Sequence, residues 1–156
     1  MLKIVALGNE LYGDDGIGPA VLKTLHNEVD GTAELILAGN DAFILLDHLL
    51  KQDPLVIIDC ARMGKSPGEI LKFRSGQIQP RWLAAEGLSL HGFSIGEILT
   101  MAAELGCATE STVIGIEPKS ILFNTGLSAE ISQKIPAIID LVMEEIKNYA
   151  KKSIDH

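Results

Sequence analysis

Short apolar runs alternate along the chain with longer segments in which apolar residues recur every three or four positions. The runs predict strands at residues 3–7, 33–38, 55–60, 69–73 and 111–116. The longer segments predict helices at residues 19–29, 42–51, 93–105 and 128–151. This alternation is typical of a largely parallel sheet that is covered by helices.

We therefore predict an α/β fold, in which residues 1–156 form a single three-layer domain. Its twisted, largely parallel sheet has about five strands, with helices on both faces. The strand at 69–73 follows a Ser-Pro-Gly turn and is expected to run antiparallel. Pro136 is expected to strain or kink the last helix. Because sites in such folds gather at the carboxyl ends of strands, the residues that follow strands matter most.

The charge of the chain narrows the range of partners. A net charge of −8 argues against nucleic acid, because phosphate binding needs clustered Lys and Arg, whereas a metal ion or a basic peptide is compatible with it. The two cysteines, Cys60 and Cys107, form neither a disulfide framework nor a zinc motif. The N-terminal segment resembles neither a signal peptide nor a membrane span, so we expect a soluble, cytoplasmic protein with no membrane partner.

The loop after the first strand, residues 8–18, carries the first candidate chemistry. Gly8 and Gly13 have the spacing of a phosphate-binding loop, but Asp14 and Asp15 stand where that motif needs Lys and Ser or Thr. Two carboxylates at a strand end suit a cation or general acid–base work instead. The structural alternative is that Asp14 caps the first helix while Asp15 adds charge to its first turn.

Two further candidates follow along the chain. Asp59 comes directly after the apolar run of the third strand, at the rim of the sheet, where it could also simply cap a loop. His91 stands just before a predicted helix, although a lone histidine is more often a surface residue than a ligand. Asp, Asp and His around one open position would form a metal site of mixed oxygen and nitrogen character. His26 and His48 lie among ordinary helix residues and are assigned no role.

Several segments together resemble the hydrogenase maturation endopeptidases. They are LGNELYGDDGIG at 7–18, VIIDCA at 56–61, PG at 67–68, SLHG at 89–92, VIGIEP at 113–118 and TGLS at 125–128. The segments stand in the order of that family and span nearly the whole chain. The resemblance therefore implies a protease that removes the C-terminal extension of a nickel-iron hydrogenase large-subunit precursor.

The resemblance also implies a nickel-sensing triad of Asp15, Asp59 and His91, with Asp14 as the second choice for the first ligand. In this view nickel arrives already held by cysteines of the nickel-loaded precursor. The triad then completes its coordination and places the adjacent peptide bond for metal-assisted hydrolysis, so that the same three residues are the candidate catalytic residues. Free protein is expected to bind divalent metal only weakly.

One segment departs from the family pattern, and one residue suggests another mechanism. Many relatives have a Gly-Thr type sequence after the second strand, where this chain has Gly39-Asn40-Asp41, so that a charge stands where a hydroxyl is common. The chain has no GxSxG nucleophile motif. Cys60 would be a candidate thiol nucleophile, but nothing in the sequence supplies a setting that lowers its pKa.

Two other functional classes stay open at this point. A phosphoacceptor receiver domain is also doubly wound, and its acidic and lysine positions are mimicked by Asp14, Asp15, Asp59 and Lys119. Against it, the six residues 8–13 separate the first strand from the acidic pair, where receivers have almost none. The other class is a small peptide- or metal-binding module without catalysis.

Overall fold

The computed structural model describes residues 1–77 and 94–155. The strands in these ranges are β1 (Leu2–Leu7), β2 (Ala33–Gly39), β3 (Leu55–Cys60), β4 (Ile70–Arg74) and β5 (Thr112–Ile116). The α-helices are α1 (Ile17–Leu25), α2 (Ala42–Leu50), α3 (Ile95–Glu104), α4 (Ala129–Ser132) and α5 (Ile135–Ile154). Two short 3₁₀ helices lie at Gly13–Gly16 and Ser75–Gln77. The predicted α/β fold is confirmed, and every strand boundary lies within one residue of its predicted position.

The five strands form one sheet in the order β2-β1-β3-β5-β4. All neighbouring pairs are parallel except β4 and β5, which run antiparallel with Ile70 opposite Ile116, as predicted. The chain moves outward from β1 to β2 and then crosses to β3 on the other side of β1. The strand order therefore reverses between β1 and β3, and ligands in open α/β sheets bind in the crevice at such a switch point.

Each face of the sheet has its own hydrophobic core. Ile4 and Ile58 pack on one face with side chains of α1 and α5, whereas Val5 and Ile57 pack on the other with side chains of α2 and α3. All four of these strand side chains are completely buried. Because consecutive residues of β3 enter different cores, both of its faces must be apolar, which explains its continuous apolar run. Full burial of one such side chain is worth roughly 1.5–3 kcal/mol.

The end of the chain differs from the prediction of one helix kinked at Pro136. There are two helices, α4 and α5, separated by residues 133–134. Proline has no N–H to donate, and its ring would clash with the carbonyl of residue 132 if one helix continued. Pro136 instead lies in the first turn of α5, where N–H groups have no helical acceptor. Neither α5 nor any other helix in the described ranges is apolar and long enough to span a membrane.

Helix α1 lies directly against the end of β1, and Gly18 makes this approach possible. A Cβ atom built on Gly18 would overlap the carbonyl oxygen of Leu7 and lie 3.2 Å from that of Ile58. The start of α1 is therefore held against both strands that border the switch point.

Gly18→Ala should destabilise the protein by roughly 1–3 kcal/mol, because the added methyl group forces the helix away from β1. The direction is informative, since helix propensity alone favours Ala over Gly by roughly 0.5–1 kcal/mol. Urea unfolding should show a lower midpoint at an unchanged m value. Ala20→Gly in the same helix reports the propensity difference by itself. A higher midpoint for Gly18→Ala would show that α1 is not packed as closely as described.

Candidate functional site

The loop between β1 and α1 is folded tightly against the neighbouring strand. The N–H of Gly8 donates to the carbonyl oxygen of Gly39 at 2.8 Å, which joins the loop to the end of β2. Gly8 has a φ of 114°, and a Cβ atom there would overlap the carbonyl oxygen of Asp15. The chain then enters the 3₁₀ helix Gly13–Gly16, which carries both aspartates of the loop.

Asp14 is completely buried and joins two loops. Its Oδ2 accepts the backbone N–H groups of Lys119 and Ser120, both at 2.9 Å, and its Oδ1 accepts that of Ser128 at 2.7 Å. The Ser128 hydroxyl also donates to the carboxylate at 2.9 Å. The carboxylate is therefore occupied by donors from the segment that follows β5. Its role is structural but is not the helix cap considered above, because Gly16 is the N-cap residue of α1.

Asp15 and Asp59 lie at the switch point of the sheet. Asp15 is half-buried, and its Oδ2 accepts the N–H of Asn9 at 2.8 Å. Asp59 is the penultimate residue of β3, which pairs with β1 so that Ala6 lies opposite Ile58. It is only 8% exposed, which is more deeply buried than the rim position expected from the sequence. We call Asp15 and Asp59 the acid pair.

Both carboxyl groups of the acid pair resist ionisation. Burial raises the pKa of Asp15, and the hydrogen bond from Asn9 only partly opposes this effect. Burial also raises the pKa of Asp59 well above its usual value, the negative charge of Asp15 adds to the effect, and the Cys60 N–H opposes it. No Lys, Arg or His of the described ranges forms a salt bridge with either carboxylate. Two repelling carboxylates held in this way are suited to a cation or to proton transfer.

Glu117 is a second buried carboxylate with a structural role, and sequence analysis assigned it none. It is 5% exposed, and its Oε1 accepts the N–H groups of Met63 at 2.8 Å and Lys65 at 2.7 Å. It therefore holds the loop that follows Asp59 and β3. The available signal was an acidic residue directly after the apolar run of β5.

The segment that departs from the family pattern has a local structural explanation. Gly39 has a φ of 60°, whereas Asn40 does not adopt a positive φ, so glycine alone supplies the turn. The Oδ1 of Asp41 accepts the N–H of Phe43 at 3.0 Å and caps α2, as the sequence predicted. The Asp41 side chain therefore stabilises the N-terminus of α2.

The contacts of Lys119 and Cys60 disfavour two alternative functions. The Nζ of Lys119 bonds to Glu130 at 2.7 Å, and Asp14 is occupied by other donors, so the set needed by a receiver domain does not converge. Cys60 is 1% exposed, and burial, together with the charges of Asp59 and Asp15, raises the pKa of its thiol far above the usual range. A buried, protonated thiol is a poor nucleophile.

His91, the third predicted member of the site, lies outside the described residues. Its convergence with the acid pair therefore stays a prediction. Within residues 1–77 and 94–155, no group of three or more His, Cys, Asp or Glu side chains is arranged to hold a metal ion. The described part of the site thus consists of two carboxylates that would need a further ligand.

A cavity of about 670 Å³ lies away from the acid pair, near the amino ends of the parallel strands. Its wall includes Lys72 and Arg74, which pair with Glu145 at 2.9 Å and Glu110 at 3.6 Å. Its basic residues are thus partly neutralised, and we assign this cavity no function.

Comparison with known proteins gives a consistent result. Residues 19–145 match the model of the hydrogenase maturation protease family HycI, a range that includes Asp59 and His91 but not Asp15. The hydrogenase expression/formation protein HupD of Thiocapsa roseopersicina is 28% identical over 150 residues, which cover 94% of this chain and 67% of that protein. The coenzyme F420 hydrogenase subunit delta of Methanothermobacter thermautotrophicus is 27% identical over 153 residues, which cover 92% of each chain.

Solved structures show the same fold. The hydrogenase maturating endopeptidase HybD from E. coli superimposes with a TM-score of 0.80 at 20% identity, covering 95% of this chain and 93% of that chain. The NiFe hydrogenase maturation protease HybD from Thermococcus kodakarensis has a TM-score of 0.70 at 27% identity, with 93% and 98% of the chains covered.

Asp59→Asn should stabilise the free protein at neutral pH, by about 1 kcal/mol. Because the folded-state pKa of Asp59 is raised, wild-type stability is complete below the unfolded pKa and falls as pH rises toward the folded value. The uncharged variant avoids this loss. Thermal unfolding at pH 4 and pH 8 should therefore show a stabilisation that grows with pH. Asp14→Asn is the matched comparison and should destabilise, because its amide group faces backbone donors. Equal destabilisation by both variants would contradict the different roles assigned to them.

Proposed function

The chain belongs to the hydrogenase maturation protease family. We propose that it uses Asp15, Asp59 and His91 to sense nickel in its substrate, which we call the client. Family membership makes the chain an endopeptidase that acts in hydrogenase maturation, with a hydrogenase large-subunit precursor as substrate. The resemblance seen in the sequence is thereby confirmed. The receiver domain and the non-catalytic module are set aside.

The acid pair is the observation that carries the proposal. Asp15 and Asp59 lie together at the switch point, and burial raises the pKa of each, with no salt bridge to either carboxylate among the described residues. A divalent cation placed between them would turn this repulsion into attraction. Carboxylate oxygen is also a donor that metal ions accept readily.

The donor set supports a metal that belongs to the substrate. Asp15 and Asp59 offer hard oxygen atoms, and His91 would add one nitrogen, which is a poor match for holding a borderline ion such as nickel alone. Thiolates of the client would hold nickel more firmly, with the protease binding from one side. Nickel bound in this way could supply Lewis acidity at the scissile carbonyl group.

Contacts within this chain position the two carboxylates of the acid pair before the client binds. The Asn9 N–H orients Asp15, and β3 places Asp59 at the end of a buried strand. Because burial raises the pKa of Asp59, its ionised form is disfavoured in the free protein, and a cation placed beside it would favour that form. Removal of the C-terminal extension is the cleavage that we propose for this site. The cytoplasmic location expected from the sequence stays a prediction.

Cleavage should require nickel in the precursor, and nickel added to the protease alone should not replace it. Nickel-free and nickel-loaded precursor would each be incubated with the enzyme, with and without chelator. The loss of the tail would be followed by mass spectrometry. Efficient cleavage of the nickel-free precursor would show that cleavage does not require nickel, while leaving the family assignment intact.

Asp15→Asn, Asp59→Asn and His91→Ala should each reduce processing roughly 100-fold or more, since even outer-shell groups of metal sites are worth 10–100-fold. Cys60→Ala should retain activity, because its buried thiol is held protonated. Rates with nickel-loaded precursor and thermal unfolding would be measured for all four variants. A folded Cys60→Ala protein without activity would restore the thiol mechanism, and active Asp15→Asn and Asp59→Asn proteins would remove the acid pair from the site.

A further inference from the structure

Four large apolar side chains are exposed on two loops that Asp14 joins, one of which also carries Asp15. The exposed fractions are 54% for Leu11, 44% for Tyr12, 67% for Leu122 and 64% for Phe123. We call these four residues the apolar rim. Single exposed apolar residues are common, but in the described ranges four of the ten large ones that are exposed gather here. Exposed apolar residues that lie together mark interaction surfaces, whereas singly scattered ones need no explanation.

The apolar rim is built from two loops that are tied together. Tyr12 and Phe123 form an antiparallel β-bridge, and their rings lie 5.6 Å apart at an angle of 57°. The Asn124 N–H donates to the Leu11 carbonyl oxygen at 2.6 Å, and buried Asp14 joins the same loops from below. A surface ordered in advance loses little conformational entropy on binding.

Two of the charged side chains that flank the apolar rim in sequence, Glu10 and Lys119, are paired. Glu10 lies 3.1 Å from Lys23, and Lys119 lies 2.7 Å from Glu130. These two pairs balance charge beside the rim, and the four rim side chains themselves are uncharged, although the whole chain has a net charge of −8. Its chemical complement is an apolar segment rather than a basic or an acidic one.

We propose that the apolar rim docks an apolar segment of the large-subunit precursor and thereby brings the scissile bond to the acid pair. This inference rests on the proposed function. Tyr12 is three residues from Asp15, so their Cα atoms are at most roughly 11 Å apart. A client whose peptide bond reaches Asp15 is therefore within contact distance of the rim. A second copy of the chain on this surface would obstruct access to the acid pair.

Leu122→Ser and Phe123→Ser should raise the KM for nickel-loaded precursor roughly tenfold or more and leave kcat nearly unchanged. The probe is a NiFe hydrogenase large-subunit precursor that the wild-type chain processes. Leu105→Ser is the matched control, because Leu105 is 62% exposed at the end of α3 and lies outside the rim. It should behave as the wild type does. Leu122→Met should also keep a nearly wild-type KM, since it preserves apolar volume.

Leu122→Ser is the decisive variant, because Phe123→Ser also removes the ring contact with Tyr12. An unchanged KM for a folded Leu122→Ser and Phe123→Ser pair would overturn the inference while the proposed function stands. Conversion of a wild-type dimer to monomers by these variants, with unchanged KM, would also overturn it and would assign the surface to self-association. A wild-type chain that processes no nickel-loaded precursor would overturn the proposed function and this inference with it.

Discussion

The hydrogen bonds of the buried Asp14 carboxylate hold together the two loops on which the candidate site and the apolar rim depend. It binds three backbone N–H groups and one hydroxyl of the segment after β5, more than 100 positions away in sequence. Bonds to a charged acceptor are stronger than neutral ones, and a buried site strengthens them further. They hold the loop after β1 in an arrangement that places Asp15 at the switch point and Tyr12 against Phe123 in the apolar rim.

Neighbouring carboxylates have opposite roles because their surroundings differ. Asp14 and Glu117 have their charge satisfied by backbone donors and hold loops in place. Asp15 is half-buried and Asp59 is buried, neither forms a salt bridge within the described ranges, and their charges repel each other, so each carboxyl group ionises less readily than a free one. A site built in this way gives up stability in order to keep two carboxylates available, as is common where function needs an unsatisfied group. Asp14 holds the loop that carries Asp15, and Glu117 holds the loop that follows Asp59.

The topology of the sheet explains why the acid pair can be assembled from distant parts of the chain. β1 and β3 are adjacent and parallel, so the residues that follow them meet at one edge. Gly18 lets α1 pack against both strands, and the turn at Gly39 ties β2 to the same loop. The acid pair is thus positioned by strands and a helix that pack directly against one another. In the proposed function, the precursor contributes the softer thiolate ligands of the metal.

The sequence by itself determined the strands and helices of the fold and marked Asp15 and Asp59 as candidate site residues. Strands and helices follow from local apolar periodicity, and an acidic residue at the end of an apolar run marks Asp59, because the ends of parallel strands meet at one edge of the sheet. The family resemblance placed Asp15 before Asp14, but only the tertiary structure supplied a physical reason for the difference, since the donors that occupy Asp14 lie far along the chain. It also revealed the contacts of Glu117 and the apolar rim. Each of these depends on which distant groups are brought together, and a local pattern contains no information about such neighbours.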